Sequence, residues 1–250
     1  MFSRWPSDDI HRGDPQTLMG IKERQERDRD AVSRAILDAA RELFVSEGYQ
    51  NVSIRKIAER IEYSPAAIYG YFPSKDDIFY GLAEEGFQLL GTMQAAAAET
   101  TALPPFERLR TSFQRLYEFS RKHPQYFALM FVDRSVPRIS REYERFAFAR
   151  ELKGRLIALI EECIREGALP RSVQPAVATR VLMMGLLGVA VMHLSDRLGP
   201  TEDADQLAED VLNVTLAGLR AGVALKSTGT MECPLEEHES DTHATTPGVR

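Results

Sequence analysis

Apolar residues recur at helical spacing along most of the chain, and the most informative case is short. Ile54, Ile57, Ala58 and Ile61 share one face of a helix, with Ser53 placed before it as an N-cap. Ser64 caps a second short helix whose first residue is Pro65, where a missing N–H has no intrahelical partner to lose. Ile68 and Phe72 of that helix are directed to the core. Pro65, Ala66, Ala67, Tyr69, Gly70 and Tyr71 fall on its outer face, which is slim and tipped with hydroxyls, a shape that fits a DNA major groove. Upstream, Val32, Ile36, Ala39, Ala40, Leu43 and Phe44 form a stripe over Ala31–Glu47 that can cover both short helices, and Gly48 stands where a left-handed cap is expected.

Downstream the elements lengthen. Ser74, Asp76 and Asp77 open a fourth helix expected to reach Ala98. It contains Gly81, Gly86 and Gly91, each costing about 1 kcal/mol relative to alanine, so close packing or bending is expected there. Leu109, Phe113, Leu116 and Tyr117 mark a fifth helix ending near His123-Pro124, and Tyr126–Val132 is a short apolar segment. Ser140 is expected to cap a helix running to Glu166, with Leu152, Leu156, Ile160 and Cys163 on its buried side and Gly167 after its end. Val177–Leu194 is apolar nearly all round, which predicts burial on more than one side. Ala204–Leu225 carries Leu207, Val211, Leu212, Leu216 and Leu219. No strand pattern or repeat is present. The fold is predicted to be all-α with about nine helices. The expected domains are a disordered leader 1–28, a three-helix helix-turn-helix domain 29–80, a helical body 81–225 and a disordered tail 226–250.

The run S-x-R-K-I-A from Ser53, and S-P-A-A-I-Y-G-Y-F-P-S-K from Ser64, resemble the helix-turn-helix of the TetR family of bacterial transcription regulators, over Ala31–Leu90. The resemblance implies a homodimeric repressor that binds a double-stranded, inverted-repeat operator and is released by a small apolar or amphipathic effector. No cofactor is expected. Ser53, Arg55, Ser64, Pro65, Ala66, Ala67, Tyr69, Gly70, Tyr71 and Lys75 are the candidate DNA contacts. Lys75 among them is expected at an exposed helix N-terminus suited to a phosphate. Arg55 reads equally as a base or phosphate contact and as an ordinary exposed helix arginine. The effector pocket implied for the body, which would make it an effector-binding and dimerisation domain, has Phe113, Tyr117, Phe127, Met130, Phe131, Tyr143, Phe146, Met183, Met184 and His193 as candidate lining; a plain helical core explains each of them as well. The helices around 177–194 and 204–225 are expected to pair with their symmetry mates in a four-helix bundle. In one respect the sequence departs from the family: Glu62 stands at the corner where a glycine is usual. A non-glycine residue can take the left-handed conformation there at modest cost.

Charge complicates the picture. The chain carries a net −6, and within Arg29–Tyr80 seven cations face eight anions, so DNA affinity would have to come from a few positioned groups. Lys22, Arg24, Arg27 and Arg29 alternate with Glu23, Glu26, Asp28 and Asp30, which reads as a solvated leader rather than a basic arm. A head that no longer reads DNA, on a helical small-molecule or protein-binding module, is therefore the alternative. Cys163 and Cys233 provide no disulfide framework and suit a reducing cytosol. The N-terminus has no apolar signal region, and the longest apolar run, Val181–Leu194, is shorter than the roughly 18 to 20 residues of a membrane span, so a cytoplasmic protein with no membrane contact is expected. No metal site is expected. Cys163, His193 and His123 lie on different elements with no nucleophile motif around them, so no enzyme is expected.

Overall fold

A computed structural model of the chain describes residues 15–98, 103–137 and 147–227. Among these it contains nine α-helices and no strand: α1 (Pro15–Glu47), α2 (Ile54–Arg60), α3 (Pro65–Tyr69), α4 (Lys75–Ala98), α5 (Pro105–Lys122), α6 (Pro124–Phe127), α7 (Ala147–Arg165), α8 (Pro175–Leu194) and α9 (Ala204–Arg220). A 3-10 turn occupies Tyr49–Asn51 and a π-helical turn follows α6 at Ala128–Val132. Residues 1–14, the expected cap Ser140 and the tail beyond 227 lie outside the described residues.

Contacts divide the chain into two units, and the division is not the consecutive one expected. One unit runs to Leu89 and takes in His123–Phe148; the other comprises Leu90–Lys122 and the chain from Ala149 onward. The boundary expected at residue 80 falls inside α4, a continuous helix with no break there.

In the first unit Ile36 and Ala40 of α1, Ile57 and Ala58 of α2, Ile68 of α3, and Ile78 and Phe79 of α4 are fully buried. Phe44, Tyr49 and Phe79 stack edge to face, with ring centroids 4.9 and 5.9 Å apart. At the corner, Glu62 adopts φ +59, as the glycine of the family would. Tyr63 N–H donates to the Ala58 carbonyl at 2.9 Å, which closes α2 in a Schellman-type turn and holds Glu62 in the left-handed region.

α4 shows why one glycine is there. A Cβ at Gly86 would run into Met130 Sδ and approach Tyr126 Cδ1 to 3.3 Å, so the glycine lets α6 and the π-turn pack directly onto α4. Tyr126 also accepts from Arg41 of α1 at 2.5 Å, and Arg34 pairs with Glu85. Burial and the neighbouring Glu85 carboxylate push the Tyr126 phenol up to about 12. α1, α4 and α6 are thus joined by polar as well as apolar contacts.

Over residues 15–28 α1 replaces the disorder expected for the leader. It begins at Pro15, and its mixed charges are those of a solvated helix, with Lys22 and Glu26 paired one turn apart. Charge alternation without an apolar stripe marks an exposed helix as readily as a disordered segment.

In the second unit α5, α8 and α9 pack on one another. Leu109, Phe113, Leu116 and Phe119 of α5 meet Leu182, Leu186 and Val189 of α8 and Leu212, Leu216 and Leu219 of α9, all buried. Gly185 lets α9 come close, since a Cβ there would lie 2.8 Å from Val211 Cγ1. α8 is buried on its inner side only: Val181, Met184 and Met192 are exposed, as is Val214 of α9. The spacing of Val181, Met184 and Met192 places them on one outer face of α8. At 20 residues with mean hydropathy 1.8, α8 is long and apolar enough to cross a membrane, contrary to the shorter run expected from Val181–Leu194. The helix starts earlier, at Pro175, and Arg180 is its one permanently charged side chain.

Candidate nucleic-acid interface and ligand cavity

α2 and α3 are short helices made by their caps. Ser53 Oγ accepts from Lys56 N–H, and Ser64 Oγ accepts from Ala67 N–H, each at 3.2 Å. Ile68 is the only fully buried residue of α3. Pro65, Ala66, Tyr69 and Gly70 are exposed, with Tyr69 at 55%, while Ala67 is half-buried. The two tyrosines part ways. Tyr69 points outward, whereas Tyr71 is half-buried beneath Arg29, whose guanidinium lies 5.3 Å from the ring centroid. Arg29 Nη2 also donates to the Gly70 carbonyl at 3.3 Å, tying α1 to the end of α3. This contact was not foreseen; two helical turns separate Arg29 from the first fully buried α1 residue, Ile36, and that spacing is its only trace in the sequence.

The near-neutral charge of this region has a structural origin. Arg55 pairs with Glu59 at 2.8 Å, Arg60 with Glu42 at 2.8 Å, and Lys56 with Glu47. Arg55 is 80% exposed in its pair, and exposed pairs of this type are worth only about 0.3–0.5 kcal/mol, so a phosphate can displace Glu59.

Lys75 needs correction. Its side chain is half-buried rather than exposed: Nζ donates to the Tyr49 carbonyl at 2.8 Å and the Val52 carbonyl at 3.0 Å, and it sits 4.1 Å from the Tyr49 ring centroid. Two of three ammonium protons are committed to the turn preceding α2. These contacts tie the start of α4 to that turn.

Among the described residues, those expected to line one pocket are divided between the two units. Phe127, Met130 and Phe131 belong to the first unit, with Phe131 against Phe87 and Phe127. Phe113 is core, Met184 is exposed, Met183 is half-buried, and His193 contacts Arg121. Tyr143 and Phe146 lie outside the described residues. Met184 and Met192 of α8 are exposed, whereas Phe113 of α5 is turned into the core.

Among the hollows of the second unit, two lie between helices. A groove of about 560 Å³ runs between α5, α8 and α9, and of the expected residues it includes Tyr117 alone. Its charges are spent on each other: Tyr117 donates to Asp205 at 2.8 Å, and Arg121 pairs with Asp205 at 3.2 Å. A cavity of about 340 Å³ lies between the end of α4, α5 and α7. Leu152, Leu156 and Leu159 make its apolar side, and Arg108, Arg155, Arg165 and Glu162 its polar rim. The leucines were expected on the buried side of this helix, but the arginines beside them were not foreseen, because they look like those of any surface helix.

Cys163 is buried in α7, and burial pushes its thiol up to about 11, the setting of an inert core thiol rather than a nucleophile. Among the described residues no three metal-ligating side chains converge.

Known proteins resemble both halves of the chain. Residues 36–81 match the family described as bacterial regulatory proteins, tetR family, and residues 109–215 match the tetracyclin repressor-like C-terminal domain; together these cover more than half of the chain. An HTH-type transcriptional repressor of Mycobacterium tuberculosis is 40% identical over 52 residues, covering 21% of this chain and 28% of that protein. YuxN of Bacillus subtilis, an uncharacterized HTH-type transcriptional regulator, is 26% identical over 104 residues, covering 42% of this chain and 35% of its own length. The matched stretches thus span about a third of the curated relatives' length. The crystal structure of PfmR, a TetR family transcriptional regulator from Thermus thermophilus, superposes with a TM-score of 0.60 at 25% identity, over 74% of this chain and 98% of that one. FadR from Bacillus subtilis, solved in complex with stearoyl-CoA, gives a TM-score of 0.63 at 19% identity over 74% and 98%, a likeness of fold. With a capped α2–α3 corner, an outward α3 and a helical body all in place, the chain belongs to the TetR family of bacterial regulatory proteins.

Proposed function

We propose that this protein is a ligand-responsive transcriptional repressor that acts in the cytoplasm as a homodimer on an inverted-repeat operator. One observation carries the reading: α3 presents Pro65, Ala66, Tyr69 and Gly70 to solvent from a corner fixed by two serine caps and a left-handed Glu62. That face is slim enough to enter a major groove, where Ala66 and Ala67 can touch thymine methyls, Tyr69 and Ser64 can reach phosphates, and Arg55 can exchange Glu59 for DNA. The relative in Mycobacterium tuberculosis is named a repressor, which supports the sign of regulation.

The outer face of α8 and α9 supports the dimer. Met184 is 53% and Val214 73% exposed, an apolar surface that water does not favour and a second copy can cover. This reading also accounts for the hydropathy of α8 without a membrane, because its inner face is already packed on α5 and α9. Two heads on a two-fold axis would address major grooves about 34–36 Å apart. α4 follows α3 directly, and its far end lines the 340 Å³ cavity, so a ligand there contacts the same helix that begins beside the recognition corner. Such a ligand acts only if it prefers the state that does not bind DNA.

The test is selection of genomic fragments by the purified protein, followed by footprinting and a salt titration. A two-fold symmetric footprint with salt-dependent affinity is expected. The ion-paired cations of α2 favour a second reading, a head that docks on a protein; recovery of no specific fragment by a folded dimer would select it.

A further inference from the structure

The 340 Å³ cavity between α4, α5 and α7 has a polarity that names its ligand class. Arg108, Arg155 and Arg165 line it against a single acid, Glu162. Arg108 donates from Nη2 to Glu162, but its Nε–H is buried and has no hydrogen-bond partner among the described residues. Arg155 spends only a long 3.7 Å contact on the exposed Glu151. Leu152, Leu156 and Leu159 stand one turn apart on α7 and give the cavity an apolar stripe, beside Arg155, Glu162 and Arg165 of the same helix and facing Arg108 of α5.

We propose that this cavity binds a small amphiphile with an anionic head and an apolar tail, its head paired with Arg108 in the positive field of Arg155 and Arg165 and its tail laid on the α7 leucines. The proposal deepens the repressor reading and rests on it for its regulatory meaning. A neutral apolar ligand would bury the guanidinium rim without compensating it, and a cationic one would meet three arginines. A carboxylate or phosphate pairs with guanidinium N–H groups and outcompetes a single Glu162. The volume, at the small end of the roughly 300–1,000 Å³ typical of ligand sites, suits a medium-length chain.

The experiment is calorimetric titration of the full-length protein with decanoate, decyl phosphate, decanol and decylamine. At least one anionic ligand is expected to bind at least about tenfold tighter than decanol, with decylamine weakest. Which of the two anions binds better separates a carboxylate head from a phosphate head. Arg108→Gln should remove the anionic preference, and Glu162→Gln should strengthen anion binding. Equal affinity for decanol and both anions overturns the proposal, as does an anionic preference that persists in folded Arg108→Gln. Should Arg108→Gln not fold, the exposed double variant Arg155→Gln with Arg165→Gln must reduce the preference by about threefold or more, and an unchanged preference has the same force. Operator binding is read separately. Anion-selective binding that leaves the operator complex intact supports this site and defeats ligand-controlled repression. Release by decanol as readily as by decanoate does the reverse.

Discussion

Among the described residues α3 and α8 each present an exposed face, and the two faces could hardly differ more. α3 has five residues, one of them fully buried, and outward it shows proline, alanine, a phenol and glycine. A helix that short does not persist by itself in water; its caps and Ile68 hold it, and its outer face is content in solvent. α8 has twenty residues and an inner face of seven buried ones, yet outward it shows Val181, Met184 and Met192, with open space above Gly188. That face is apolar apart from Arg180 near its start, and its apolar part loses free energy in water. A free surface alone does not identify a partner. The chemistry it exposes does: small groups and hydroxyls on α3 for a groove, methionine and valine on α8 for another copy of the same helix.

The strongest way to break this contrast is at Ile68. If α3 is held chiefly by that side chain, Ile68→Ala lowers stability by about 2–5 kcal/mol in urea unfolding and removes DNA binding with it. A loss below about 1 kcal/mol would mean that the caps carry α3. On the other helix, Met184→Glu places two charges in one two-fold interface and should weaken the dimer by on the order of 3 kcal/mol in sedimentation equilibrium, leaving the helical content unchanged. An intact dimer would show that α8 faces something else. Lys75→Met sharpens the boundary of the reading surface. It should cost roughly 1.5–3 kcal/mol of stability through the lost carbonyl contacts, with no change in the salt slope of DNA binding. A slope lower by about 1 would return Lys75 to the phosphate contacts. The smallest expected effect is at the corner, where Glu62→Gly relieves a left-handed non-glycine residue and should raise stability by up to about 1 kcal/mol without altering DNA affinity.

What could be read from the sequence was what is local. Ser53, Ser64, Pro65 and the Ile54–Ile57–Ile68 set specify α2 and α3 within a few residues of one another, and the structure places each as the pattern requires. Glu62 was legible for the same reason. Lys75 was not, because its partners are the carbonyls of Tyr49 and Val52, more than twenty residues earlier, and helix position says nothing about them. The leader was misread because alternating charge carries no core stripe, although it makes a sound solvated helix from Pro15. The cavity was the least legible part. Aromatic and methionine content pointed to residues that packing distributes between two units, a core and an outer face, while the arginines that rim the actual hollow look like ordinary surface positions until α4, α5 and α7 are assembled.

The most direct measurement is the affinity of Tyr69→Ala for a fragment selected by the wild-type protein. Tyr69 is outward on α3 and touches no core, so its removal should leave stability within about 0.5 kcal/mol while weakening specific binding by about tenfold or more. Unchanged affinity in a folded, dimeric variant would contradict the placement of the α3 outer face against DNA.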